Sequence, residues 1–456
     1  MKLGGIMAAL VSGAILAVSR DTGHLGYLSL LGPVPLFIWI LRQKRALNAF
    51  TLASLTGLMA EAGPLYFYGT VIPMVYWIVA LQAVFFALSA LFMWALYPKS
   101  PTLSVFAYAV MIAAIEFLYS YVSPNGSFGA LGYTLVDVLP LLQIASLAGM
   151  PGLGFLAAII PAGIAVLILR PTDHFATCAW IVPVVAALLF GAWRLAQPEG
   201  EPVRIALVSN DALAGVASDV PARNEAIVAD FRQKIEELAS MKPAYVVMPE
   251  KMFLPTEAFA QLSTILSLNI VAGIDRPMSD GQRSNSAELT GVGRSRLTYD
   301  KHHLIPGLEA DYVPGTKLVS TDRIGIAICK DMDFPQYLRT YGLRHIGMLL
   351  VPAWDFVADG SLHSKMAVVR GVENGFAVAR VASHGRLTLS DAKGRLVADI
   401  SSAEDQGTLV GTIPMGSGET FYARNGDAFG WALVMIWGGL LFALISVRVE
   451  TLARVK

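Results

Sequence analysis

The sequence predicts a multi-span α-helical membrane bundle of about eight helices joined to an α/β domain, and three observations carry that reading. The chain has 456 residues of which 55% are hydrophobic, and its mean hydropathy of +0.57 is far above that of a soluble protein of this size. The apolar residues are concentrated in 1–197, in long runs almost free of charge, whereas 201–427 carry the mixed charge of a globular domain. From 203 onward short apolar runs alternate with helical periodicity, the pattern of interleaved strands and helices. The expected organisation is a seven-helix bundle over 1–197, an extracytoplasmic domain over 201–427, and a last membrane helix with a cytoplasmic tail over 428–456.

Apolar windows of about 17 to 25 residues cross a bilayer. Such windows fall near 3–19, 25–41, 48–68, 71–97, 101–122, 145–169, 175–196 and 428–447. Ser19-Arg20-Asp21 is a poor cleavage site, so the first window is read as a retained helix rather than a signal peptide. Lys and Arg in short loops set orientation. Lys2, Arg42, Lys44, Arg45, Lys99, Arg170, Arg448, Arg454 and Lys456 share one side if the N-terminus is cytoplasmic, against Arg20 and Arg194 on the other. Seven spans before 201 then put the globular domain outside the cytoplasm.

A carboxylate inside a span is costly and faces a bundle interior or a wet cavity. Glu61 and Glu116 occupy such positions. Either could line a substrate path or satisfy helix packing, and for Glu61 packing near an interface is the preferred reading. Net charge is zero and no basic stripe with interleaved aromatics is present, which argues against nucleic acid as a partner. The two cysteines, Cys178 and Cys329, fall in a predicted membrane helix and at a strand end, so a disulfide between them is not expected.

In the globular part, strands are expected at 204–208, 244–248, 269–274, 286–291, 296–299, 324–328, 347–351, 376–381, 386–390 and 407–412. Helices are expected at 224–241, 255–267, 334–344 and 361–373. Three polar residues end or follow strands: Glu250 after Tyr245-Val246-Val247-Met248-Pro249, Lys301 after Tyr299-Asp300, and Cys329 after Ile324-Gly325-Ile326-Ala327-Ile328. A thiol must lose its proton to attack a carbonyl; a carboxylate can take the proton and an ammonium can lower the thiol pKa. Taken singly, each is more often a solvated loop charge, an idle turn lysine or a small buried filler.

In this order the three residues resemble the nitrilase superfamily, and the spans narrow the resemblance to the apolipoprotein N-acyltransferase family over nearly the whole chain. Tyr299-Asp300-Lys301-His302-His303-Leu304-Ile305-Pro306 with Glu309 is similar to the family's lysine segment, and Ile326-Ala327-Ile328-Cys329-Lys330-Asp331-Met332-Asp333-Phe334-Pro335 to its nucleophile segment. His363-Ser364-Lys365-Met366-Ala367 with Arg370, Glu373 and Asn374 resembles the helix that follows, and Thr420-Phe421-Tyr422-Ala423-Arg424-Asn425-Gly426-Asp427 the approach to the last span. Glu116 matches a carboxylate in the fifth span. The resemblance implies an αββα four-layer sandwich, a Glu250-Lys301-Cys329 triad, and supporting roles for Glu309, Asp331, Trp354 and Glu116. It also implies a phospholipid acyl donor, a thioester on Cys329, and transfer to the α-amino group of a lipoprotein's diacylglyceryl-cysteine. No cofactor is implied.

The sequence departs from the family near the substrate. Lys330-Asp331 stands where Tyr-Glu is usual, Ser209-Asn210-Asp211 replaces Gln-Gly-Asn, and Val351-Pro352-Ala353-Trp354-Asp355-Phe356 replaces Ser-Asn-Asp-Ala-Trp-Phe. Tyr119 stands for an arginine, and Ala310-Asp311 are extra, which makes Asp311 an alternative to Glu309. The alternatives left open are an amidase, a transferase acting on another amine, and a non-catalytic scaffold. His302, His303, His345, His363 and His384 lack zinc-ligand spacing, so no metal is expected.

Overall fold

A computed structural model describes residues 2–21, 23–69, 75–172, 178–279, 281–291, 293, 295–404 and 407–454. The chain separates into two compact units. One comprises Met1–Ser123, Gly129–Leu195 and Asn425–Lys456; the other comprises Pro124–Phe128 and Ala196–Arg424.

The first unit is helical. Among the described residues, four of its helices are long and apolar enough to cross a membrane: Leu3–Arg20, Val75–Leu96, Pro101–Val122 and Ala145–Leu169. Shorter apolar helices occupy Ala46–Ala60, Ile181–Leu195 and Ala428–Leu444. The expected span 25–41 is broken into a 3-10 turn, Gly26–Leu30, and a helix, Val34–Ile40, because Pro33 has no N–H to continue the ladder. The expected span 48–68 is likewise two helices, Ala46–Ala60 and Ala62–Tyr68, parted at Glu61, whose carboxylate pairs with Arg20. That ion pair accounts for Glu61 as a packing group. The first residues of the expected spans 71–97 and 175–196, and Lys456, lie outside the described residues.

The second unit is built on two six-stranded sheets, ordered β12-β1-β2-β3-β4-β5 and β11-β10-β9-β8-β7-β6. The first contains β1 (Pro202–Val208), β2 (Tyr245–Val247), β3 (Asn269–Pro277), β4 (Arg283–Thr290), β5 (Leu297–Asp300) and β12 (Thr408–Pro414). The second contains β6 (Val319–Thr321), β7 (Ile324–Ile326), β8 (Met348–Trp354), β9 (Ala377–Ser383), β10 (Arg386–Ser390) and β11 (Leu396–Ser401). In each sheet three central strands are parallel, β1-β2-β3 and β7-β8-β9, and the outer ones antiparallel.

Period-two alternation makes the layers. Ile205 and Leu207 of β1, Val271 of β3, and Met348 and Leu350 of β8 share one core between the sheets. Their neighbours Ala206, Val208, Ile270 and Ala272 face outward onto Ile227, Val228, Phe231 and Ile235 of helix Asn224–Ala239 and Phe259 of helix Glu257–Leu266. On the other side Leu349 and Val351 meet Leu338 and Tyr341 of helix Pro335–Gly342 and Ala367 of helix Gly360–Asn374. The result is the αββα sandwich. Each such apolar side chain contributes about 1.5–3 kcal/mol by leaving water, so truncating Phe231 to alanine would cost about 3–5 kcal/mol.

Candidate active site

Parallel strands present their carboxyl ends along one edge, and an open α/β sheet gathers its reactive groups there. β2 ends at Val247 and leads through Met248-Pro249 to Glu250; β7 ends at Ile326 and leads to Cys329; β8 ends at Trp354. β5 runs in the same sense as β3, because both are antiparallel to β4, and it delivers Lys301 to that edge. The turn after β2 presses closely on β3. A Cβ on Gly273 would stand 2.3 Å from the Pro249 carbonyl oxygen and 2.4 Å from Glu250 Cα, so only glycine admits this approach. The Glu250 N–H then donates to the Ala353 carbonyl at 3.3 Å, tying the turn to β8 of the other sheet.

Lys301 is fully buried and joins two carboxylates: Nζ lies 2.8 Å from Glu250 Oε1 and 2.9 Å from Glu309 Oε2. Asn285 of β4 donates its amide to both, to Glu309 Oε1 at 2.6 Å and to Glu250 Oε1. Glu250 Oε2 is buried without a hydrogen-bond partner among the described residues. Glu309 is fixed further by the Ile305 N–H, 2.8 Å from Oε2, and by Lys251 Nζ, 3.4 Å from Oε1. Burial pushes the Glu309 carboxyl up, but Lys301 and Lys251 outweigh it and hold the group at about 2. Burial disfavours the Lys301 ammonium, yet Glu250, Cys329 and Glu309 hold its pKa well above the usual lysine range. Of the two acids that the extra residues left open, Glu309 is the one beside the lysine, while Asp311 is exposed.

Cys329 is buried, with φ of +40°, a left-handed conformation that costs a non-glycine residue about 1–3 kcal/mol. Its Sγ donates to the Trp354 carbonyl at 3.4 Å. Burial first and Glu250 second raise the thiol pKa well above normal, against the lowering influence of Lys301. The neighbouring ammonium does lower the pKa, as expected, but desolvation outweighs it.

Asp331 is not in the ionic cluster. It receives hydrogen bonds from Tyr299 Oη (2.6 Å), the His303 N–H (2.8 Å) and the Ile328 N–H (3.1 Å). It pins the turn Cys329–Asp333 to the segment that carries Lys301. Lys330 bonds Asn125 Oδ1 at 2.9 Å and Asp333 Oδ2 at 3.1 Å, and the Asp333 carbonyl accepts from the N–H and hydroxyl of Ser127, both at 2.8 Å. Segment Pro124–Phe128 is thereby laced to the turn that carries Cys329. Trp354, half-buried, offers its carbonyl to the sulfur and its ring to Lys251, whose Nζ is 5.4 Å from the ring centre. Glu116 belongs to the helical unit, where Oε1 accepts from the Leu131 N–H at 2.9 Å.

Asp355, Asp359 and His363 bring one ligand-type atom each within 4.8 Å, a proximity that their four-residue intervals allow and that a reading of the histidines alone passes over. Both oxygens of Asp355 already bind the Arg380 guanidinium, so a cation there would have to displace it. Asn285 and Lys251 are the site residues that sequence reading missed. For Asn285 a signal existed: Ser284-Asn285-Ser286 is a polar run that β4 buries completely.

A sandwich of two sheets with a Glu–Lys pair and a cysteine at its strand ends, on a chain with apolar helices of membrane length, defines a carbon–nitrogen hydrolase-type domain in a membrane enzyme. The family model for carbon-nitrogen hydrolase matches residues 224–422, and that for the apolipoprotein N-acyltransferase N-terminal domain matches residues 12–163. Together the two models match most of the chain, which is similar to the apolipoprotein N-acyltransferases and is an acyltransferase. It is 28% identical to the apolipoprotein N-acyltransferase of Geobacter metallireducens, over 97% of this chain and 95% of that one. It is 24% identical to that of Gloeobacter violaceus, over 94% and 92%. Among solved structures, a C145A mutant of the Nesterenkonia AN1 amidase aligns with a TM-score of 0.40 and 20% identity, over 51% of this chain and 97% of that one.

Proposed function

We propose that the chain moves an acyl group from a membrane phospholipid through a thioester on Cys329 to the α-amino group of a lipoprotein's N-terminal diacylglyceryl-cysteine. The observation that carries the reading is the arrangement of Glu250: Oε1 is held by Lys301 and Asn285 while Oε2 has no hydrogen-bond partner among the described residues. An acid fixed through one oxygen keeps the other for proton transfer.

Burial raises the pKa of the Cys329 thiol, which favours deprotonation in step with attack. Glu250 takes the Sγ proton as sulfur bonds to the ester carbonyl carbon, and Lys301 offsets the charge that develops on the carbonyl oxygen. Collapse breaks the C–O bond, and Glu250 returns the proton to the departing lysophospholipid oxygen. In the second half the amine nitrogen attacks the thioester carbon, Glu250 accepts its proton, and the C–S bond breaks to restore Cys329. The lysines and arginines of the short loops support an extracytoplasmic site in a bacterial inner membrane. Lipid-anchored substrates give a physical reason for the fused apolar helices.

The test uses the detergent-solubilised full chain and phospholipid labelled in its acyl chains. A hydroxylamine-labile mass increment on Cys329, discharged by a diacylglyceryl lipopeptide, is the expected result. A thioester that forms but ignores the lipopeptide would overturn the acceptor. Discharge to another amine, or hydrolysis of small amides without phospholipid, would replace this reading with the transferase or amidase alternative, for which Lys330-Asp331 in place of the family's Tyr-Glu is the favouring feature.

A further inference from the structure

We propose that Lys251 is a positioning residue of the active site: it neutralises Glu309, and so leaves Lys301 to serve Glu250 and the sulfur of Cys329. Four observations carry this. First, Lys251 Nζ lies 3.4 Å from Glu309 Oε1, on the opposite oxygen from the one that Lys301 binds. Second, the ammonium stands 5.0 Å from the centre of the Tyr312 ring and 5.4 Å from that of Trp354, so its approach to Glu309 is set by two aromatic walls. Third, Lys251 follows Glu250 directly and has φ of +51°, a strained conformation for a lysine that aims consecutive side chains into one ionic cluster. Fourth, its side chain is 17% exposed whereas Lys301 and Glu309 are 0% and 1% exposed, which makes Lys251 the cluster's contact with the outside.

The charge count gives the consequence. Glu250 and Glu309 against Lys301 and Lys251 sum to zero with Cys329 protonated. Without Lys251 two buried carboxylates share one ammonium, the cluster is negative before the sulfur ionises, and formation of a second negative charge beside it is penalised. The other groups that bear on the sulfur are Asp355 and Arg380, a buried pair that offsets itself. Around Lys251, Tyr312 is bonded to Asp275, which is paired with Arg283. Neither group substitutes for a cation on Glu309.

The proposal rests on Cys329 being the nucleophile. The experiment follows alkylation of Cys329 by iodoacetamide, read by mass spectrometry of its peptide in a Cys178→Ser background of the full chain, as a function of pH. Lys251→Met is expected to shift the profile upward by about one pH unit, a tenfold slowing at fixed pH. Lys251→Arg is expected to restore it, as is Glu309→Gln added to Lys251→Met. An unshifted profile in Lys251→Met, or a shift that neither second change reverses, overturns the proposal. Should Lys251→Met not fold, Lys251→Gln against Lys251→Arg gives the same contrast. Alkylation reads the sulfur directly, so this inference can fail while Cys329→Ala still abolishes acyl transfer, and the reverse outcome would sink only the nucleophile assignment.

Discussion

Lys301 Nζ lies 2.8 Å from Glu250 Oε1, and neither side chain is more than 2% exposed. Taking one partner from a buried ion pair leaves the other charge without compensation, at a cost of about 3–5 kcal/mol. Lys301→Met is expected to lower thermal stability on that scale and to reduce acyl transfer by about 10²–10³-fold, the usual loss for an oxyanion donor. Denaturation of the full chain together with turnover on labelled phospholipid checks both; a variant of normal stability and rate would contradict the pairing.

Asn285 is expected to matter although it carries no charge. Its amide is shared between Glu250 and Glu309, so Asn285→Ala leaves two buried acceptors short of a donor, at about 1–3 kcal/mol. Asn285→Asp, isosteric but adding a third carboxylate, should be worse in both rate and stability. If the aspartate variant were the better enzyme, the shared-amide arrangement would be the wrong description.

Asp331 acts on Cys329 through the backbone of the turn. Asp331→Ala removes the acceptor of Tyr299, His303 and Ile328 and is expected to lower kcat at least tenfold while leaving KM for phospholipid within about twofold, since the group is fully buried. A change confined to KM would argue that Asp331 touches the lipid instead.

His363 gives the domain a pH-dependent stability. Burial disfavours its cation, but Asp359 and Asp355 outweigh this and raise the pKa from 6.5 to about 10. A raised pKa stabilises the fold fully below the unfolded value of 6.5 and ceases to do so as pH climbs through about 10. The melting temperature of the native chain should exceed that of His363→Gln at pH 6, and the two should converge as pH approaches 10. Parallel curves across that window would show that the imidazolium is not what the two aspartates hold.

Much of this architecture could be read from the sequence, and the omissions have a common physical origin. The expected helix 361–373 differs by one residue at each end from Gly360–Asn374, because its apolar face is buried continuously. The two strands that escaped, Val319–Thr321 and Leu396–Ser401, are the two edges of the second sheet, where partial exposure weakens the apolar alternation. Likewise Glu250, Lys301 and Cys329 follow apolar strands and stand out in sequence. Asn285 is marked only by the polar run Ser284-Asn285-Ser286, and Lys251, beside a stronger candidate, is revealed by its three-dimensional neighbours. For Cys329 the lowering influence of a lysine was legible and the larger effect of burial was not, since charge partners are visible in sequence and the depth of burial is not.

The lacing of Asn125 and Ser127 to Lys330 and Asp333 means that the catalytic sandwich is split between two stretches of the gene. An excised fragment beginning near residue 200 would lack five residues of its own fold and would leave Lys330 with Asp333 as its remaining hydrogen-bond partner. Soluble expression or transplantation of this domain therefore calls for grafting 124–128 back, and homologues swapped at the 200 boundary should exchange both stretches together.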